Sequence, residues 1–193
     1  PMSFGVRVLA PLIPAFHALH PDIRLLITLA DQLVDPIQGG FDITIRIASL
    51  PDSSLAARSI MPAHRWLIAS PAYLRRAGTP ASPRDLESHA FLEYGYMQGG
   101  STLQLTRGKE TVRVGTSGPL CANNGDMLAL AAEAGMGIAL LPAFIVEDAV
   151  ASKRLTPVLT DWQAPPIAVN AVFPSARRMP LKARAFVDFM VDA

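Results

Sequence analysis

Cysteine is nearly missing from the sequence: Cys121 stands alone among 193 residues. A single thiol closes no disulfide and builds no cysteine-based metal cluster. Lysine is scarce as well, because 14 of the 17 cations are arginines, and none forms a run longer than Arg75-Arg76 or Arg177-Arg178. Against them stand 16 acids, a formal charge of +1 that gives nucleic acid no global attraction. Charged residues are only 17% and apolar ones 50%, with a mean hydropathy of +0.29, which excludes disorder. Apolar stretches stop short of the ~20 residues a membrane span needs. No basic, apolar and cleavable leader is visible, so the expected location is the cytoplasm, with no membrane partner.

Catalytic signatures are missing too. HExxH, a P-loop and Cys-x-x-Cys do not occur, and Gly115-Thr116-Ser117-Gly118 lacks the last glycine of GxSxG. Gly135-Met136-Gly137 follows a helix and precedes a strand, the wrong order for a dinucleotide loop. His17, His20 and Asp22 are spaced for a metal, but no further ligands join them, and solvated helix-end histidines are the simpler reading. Cys121 is expected as a small buried hydrophobe. No metal and no cofactor are predicted.

What is present alternates helix and strand. Leu9, Leu12, Ile13, Phe16 and Leu19 make one apolar helical stripe, bent by Pro11 and Pro14 and stopped by Pro21. Residues 23–30 read as a strand covered on both faces, 33–38 as a short helix closed by Gly39-Gly40, and 41–47 as a second strand, together a parallel βαβ unit. Two further β-rich runs, 55–60 and 64–70, lead to helices opened by Ser70-Pro71 and Ser82-Pro83. A strand at 90–94 precedes a glycine-rich loop over 95–100 and a hairpin turning at Gly108. Asn124 caps a helix whose stripe is Met127, Leu128, Ala131 and Ala134, with Gly135 as its left-handed stop. A strand over 137–142, a helix over 143–151, strands at 155–159 and 167–173, and a last helix over 180–191 complete the chain. That last helix is expected to turn Leu181, Phe186, Phe189 and Met190 inward. The pattern is α/β with largely parallel sheets.

Five blocks, PMSFG, 39–60, 68–92, 122–142 and 172–190, run in one order and together resemble the C-terminal effector-binding domain of LysR-type transcriptional regulators. The resemblance implies two Rossmann-like lobes joined by two crossover strands, a type 2 periplasmic-binding-protein-like fold. Lobe I would be 1–69 plus 174–193 and lobe II 70–173. It implies a small effector held between the lobes at strand ends and helix N-termini. It also implies a homodimer, with the first helix (Arg7 to Leu19) and helix 125–134 as candidate surfaces. DNA would be reached only through a winged helix-turn-helix that these residues do not include. The family's first strand also precedes the PMSFG turn.

Ser3 and Phe4 lie in that turn, and Ser3 reads equally as a ligand anchor or as a helix cap. Ala30 and Asp31 end a strand, with Asp31 either facing ligand or capping the next segment. Arg46 either pairs with an acidic ligand or with a fixed carboxylate, and Ile47 and Ala48 would line a wall. From lobe II come Gly95 and Tyr96, an aromatic gate with Tyr94 or simply packed rings. Asn123 is assigned to ligand and Asn124 to the cap, while Phe173 would form a floor. Few charges among apolar walls suggest a small aromatic or carboxylate-bearing metabolite. The competing classes are a periplasmic-type solute-binding protein for a small organic acid and an enzyme on the same scaffold. For the enzyme, no paired general acid and base is placed.

Overall fold

The computed structural model describes residues 1–32, 39–49, 56–95, 101–173 and 179–193. The chain divides into two compact units, 1–63 with 166–193 and 64–165. These borders precede the sequence-based ones at 69/70 and 173/174 because residues 65–69 pair with strands of the second unit, whereas 167–173 pair within the first.

The first unit opens with one helical run: α1 (Met2–Phe4), a wider π-helical stretch (Gly5–Leu9) and α2 (Ala10–Leu19). The wide winding falls just ahead of Pro11 and Pro14, whose missing N–H groups would interrupt ordinary helical pairing. Phe4, Leu9 and Phe16 are buried, but Leu19 at the end of the expected stripe is exposed. The ring of Phe16 meets Phe186 and Phe189 edge-on at 5.2 and 5.3 Å. Those two belong to the last helix, Leu181–Asp192, which buries Ala183, Phe186, Val187 and Met190. Leu181, expected inside, is 83% exposed because it occupies the helix's opening turn, beyond the contact face. By length and composition the 18 residues Met2–Leu19 would suffice for a membrane span, which the sequence reading did not anticipate. The aromatic contacts tie this run to the unit instead.

The sheet of this unit has three strands. β1 (Thr44–Ala48) and β2 (Ala56–Ala63) both pair antiparallel with β9 (Ile167–Phe173), which runs between them. β2 carries a bulge between Ser59 and Met61 and extends the first of the two expected β-rich runs through Met61-Pro62-Ala63, while the second run forms a separate strand, Arg65–Ala69. The parallel βαβ unit is not found among the described residues. Residues 23–30 form no strand, and Leu26, Ile27 and Leu29 are 89%, 46% and 38% exposed. An apolar extended segment becomes a strand only when a neighbour takes its backbone hydrogen bonds, and the described residues supply none. Leu29 leans on the helix where Gly5 has no side chain: a Cβ there would collide with it. The helix expected over 33–38 lies outside the described residues.

The second unit holds a six-stranded sheet in the order β5-β6-β4-β7-β3-β8. The strands are β3 (Arg65–Ala69), β4 (Ala90–Tyr94), β5 (Ser101–Arg107), β6 (Glu110–Ala122), β7 (Ile138–Pro142) and β8 (Thr156–Val158). β4 is parallel to both neighbours, β6 and β7, and the remaining pairs are antiparallel. The β4–β6 register shifts at Gly118, where a Cβ would strike the backbone of Phe91. Capping follows the sequence. Ser70 accepts from the Tyr73 amide at 3.2 Å to open α3 (Pro71–Ala77), and Asn124 accepts from the Met127 amide at 3.0 Å to open α4 (Gly125–Glu133). α4 buries Gly125, Leu128, Ala129 and Ala132, so its inner face is turned from the expected stripe, and Met127 is 53% exposed. With α5 (Ala143–Ala151) it covers one face of the sheet through Ile68, Leu92, Leu141, Ile145 and Val146. On the other face Leu67, Tyr73, Leu86, Phe91, Leu105 and Ile138 form a second core.

Candidate functional site

In the first unit, the register places three polar residues side by side across the sheet. Arg46 of β1 lies opposite Asn170 of β9, which lies opposite Ser59 of β2. Side chains in register share a face, so these three form one polar row across the sheet. Asn170 is 6% exposed, and its amide donates to the carbonyls of Ala168 at 2.8 Å and Ala48 at 3.2 Å. Beside it a recess of about 420 Å³ is lined by Ala48, Ser49, Ser59, Pro62, Ile167 and Asn170, among others. Apolar walls with a few polar groups are the usual make-up of a small-molecule site. Asn170 was not singled out in the sequence, although an amide inside the strand IAVNAVF was the signal.

At the chain's other predicted anchors the geometry is more varied. Ser3 is the second residue of α1, 6% exposed, so it is no N-cap. Phe4 is 1% exposed and belongs to the core. Ala30 and Asp31 are half-buried, and the Asp31 Oδ1 accepts from the Met2 amide at 2.9 Å at the start of the first helix, while the segment it was expected to cap lies outside the described residues. Arg46, Ile47 and Ala48 are the half-buried end of β1, and Phe173 closes β9.

In the second unit the carboxyl ends of β4 and β6 bring Gly95 and Asn123 into one neighbourhood. The Gly95 amide donates to the Ala122 carbonyl at 3.0 Å, and the Cys121 thiol donates to the Gly95 carbonyl at 3.5 Å. Cys121, the penultimate residue of β6, is exposed, contrary to expectation. Tyr94 is 54% exposed, and Tyr96, like the rest of the loop after Gly95, lies outside the described residues. Asn123, half-buried, directly precedes the cap of α4. Among the described residues no three His, Cys, Asp or Glu side chains gather as a metal site, and the His20 ring packs against Phe16 with centroids 4.9 Å apart.

Two charged groups are perturbed by local structure. Asp85 accepts from the Ser82 and Ala81 amides at 2.9 and 2.8 Å, and these bonds hold its carboxyl below the ordinary range. Burial lowers the pKa of Arg65, whose guanidinium donates to the Pro165 carbonyl at 2.6 Å.

The whole chain, residues 1–193, matches the family model described as LysR substrate binding domain. The chain belongs to that family, with its type 2 periplasmic-binding-protein-like fold of two α/β units. It is similar to an uncharacterized HTH-type transcriptional regulator of Haemophilus influenzae, at 33% identity over 94% of this chain and 63% of that protein. Among solved structures, the CrgA regulatory domain from Neisseria meningitidis matches with a TM-score of 0.83 at 30% identity, over 99% of this chain and 94% of that one. The full-length Vibrio cholerae virulence activator AphB matches with a TM-score of 0.81 at 29% identity, over 100% of this chain and 65% of that one. The chain thus spans about three-fifths of the length of the full regulators it matches.

Proposed function

We propose that this chain is the ligand-sensing part of a cytoplasmic transcriptional regulator, without catalytic activity. It binds a small aromatic or carboxylate-bearing metabolite and relays the event through a homodimer to a DNA-binding domain elsewhere in the full protein. The observation that carries the reading is the recess beside Asn170, with Arg46 and Ser59 in the same polar row. A guanidinium next to apolar walls suits a carboxylate on an apolar body, because the charge-assisted bond supplies orientation and the walls supply area. Of the other anchors expected from the sequence, Ser3 and Asp31 belong to the same unit as the recess. Binding would act as a switch only by favouring one arrangement of the protein over another.

The dimer part is supported by α4. Its outward face carries Met127 and Leu130, 53% and 65% exposed, and in the first unit the first helix exposes Val6 and Leu19. Large exposed apolar groups grouped on one helix mark an interaction surface.

The test is a thermal-shift screen of small aromatic and short-chain acids on the chain and on Arg46→Ala and Ser3→Ala. A ligand stabilises by mass action, so a hit in the parent should weaken in Arg46→Ala. A hit with equal shifts in all three proteins would show that the site is elsewhere.

A further inference from the structure

The second unit buries a carboxylate oxygen that has no hydrogen-bond partner among the described residues. Glu93 is the acid in the strand AFLEY, 7% exposed, and its Oε1 is shielded from solvent with no hydrogen-bond partner among the described residues. Strand alternation puts it on the face of Phe91, at the end of the core layer that includes Leu67, Leu86 and Ile138. A carboxylate oxygen left unpaired beside apolar groups costs free energy, and native structures keep such groups where function needs them.

Its position in the sheet is the second observation. β4 is flanked on both sides by parallel strands, and Glu93 is its penultimate residue. Open α/β sheets bind ligands beyond the carboxyl ends of such strands. Across the ladder Glu93 pairs with Cys121, which is exposed. The buried oxygen therefore has a solvent-open position as its immediate neighbour on the same face. The chain then turns at Gly95, whose φ of 143° is one that glycine adopts readily.

We propose that Glu93 anchors a ligand subsite of the second unit, at the carboxyl ends of β4 and β6, recognising an ammonium group on the ligand. The inference rests on the effector-binding reading and adds a chemical class to it: the metabolite carries a primary amine. An ammonium is the donor that best suits an unpaired carboxylate, since a charge-assisted hydrogen bond is short and about twice as strong as a neutral one. Preference for the amine over its deaminated analogue follows, because the analogue would leave the oxygen as unpaired as it is without ligand.

The probes are matched pairs of small acids differing only in the amino group, such as L-phenylalanine with 3-phenylpropanoate and L-leucine with 4-methylpentanoate. They are assayed by thermal shift and calorimetry on the chain, on Glu93→Gln and on Glu93→Met. The expected result is an amine preference of about tenfold or more in the parent, lost in both variants. Without ligand, Glu93→Met should melt about 2 °C or more higher, as an unpaired polar group gives way to an apolar side chain. Equal binding of both members of a pair, unchanged by the variants, would overturn the role of Glu93 and leave effector binding standing. A lower melting temperature for ligand-free Glu93→Met would also overturn it, by showing the carboxylate to be a structural partner. No shift with any probe in the parent would count against effector binding itself, and this inference with it.

Discussion

The Oδ1 of Asp31 accepts the Met2 amide at 2.9 Å, so a residue at the end of one extended segment fixes the start of the first helix. The first amides of a helix have no partner inside it, and a carboxylate placed there satisfies one and complements the helix dipole. Asp31→Ala should cost about 1 kcal/mol of stability, while Asp31→Asn, which retains an acceptor, should cost less. Urea unfolding of the three proteins checks the order. If ligand response falls in Asp31→Asn while stability holds, Asp31 also serves the ligand.

Asn170 and Arg46 are adjacent in the ladder but should fail in different ways. Asn170→Ala removes the donor to two backbone carbonyls in a buried setting, so destabilisation of about 1–3 kcal/mol is expected. Arg46 is only half-buried, and Arg46→Ala should leave the melting temperature nearly unchanged while weakening the response to carboxylate ligands. Parallel thermal melts with and without a hit from the acid screen separate the two.

Caps and turns were the most legible part of the sequence, since Ser70, Asn124, Gly108 and Gly135 act through bonds or dihedrals set within a few residues. The strand over 23–30 was not legible. Its composition is that of a buried strand, but strand formation is decided by a neighbour, which no local pattern encodes. Helix faces were read to within a residue or so: α4 buries Leu128 as expected but also Ala129 and Ala132, and leaves Met127 outside. For the candidate site, Arg46 and Asn123 were expected from motif positions, whereas the row joining Arg46 to Asn170 and Ser59 depends on a register between residues far apart in sequence. Glu93 had a sequence signal, an acid in an apolar strand, but its burial is a tertiary fact.

Asp85 predicts an acid-sensitive element. Its carboxyl is held below the ordinary value, first by the Ser82 amide and then by Ala81, so folding favours the ionised form. A depressed folded-state pKa contributes stability that is present above the unfolded value of about 4 and disappears as pH falls through the lower folded value. The melting temperature of Asp85→Ala should lie below the parent's at pH 7. The two should converge below pH 4, within the limits set by other carboxylates. A gap that persists at pH 2 would show that the side chain stabilises by something other than its charge.

Tyr73 and His89 form a buried pair on the apolar face of the second unit. The Tyr73 hydroxyl accepts the Ala90 amide at 3.0 Å and lies 3.0 Å from the His89 Nδ1, so its own proton is available for that nitrogen. Tyr73→Phe keeps the ring among Leu86 and Phe91 but leaves the Ala90 amide and the His89 nitrogen without this partner. The expected cost is about 1–3 kcal/mol, and faster hydrogen exchange at Ala90 should accompany it.

The exposed face of α4 gives the sharpest test of the proposed dimer. Leu130 is 65% exposed and does not contribute to the core, so Leu130→Glu should leave the fold of the monomer intact. If that face is covered by a second copy, the substitution places a carboxylate in an apolar interface, where desolvation without a partner opposes association. Sedimentation at micromolar concentration should then show a dimer for the parent and a monomer for Leu130→Glu, with matching far-UV circular dichroism. A parent already monomeric at that concentration, or a variant that still dimerises, would move the interface away from α4. The solvent-facing first-helix residue Val6, 59% exposed, supplies the second position to vary, since Val6→Glu should weaken the same association if both helices take part.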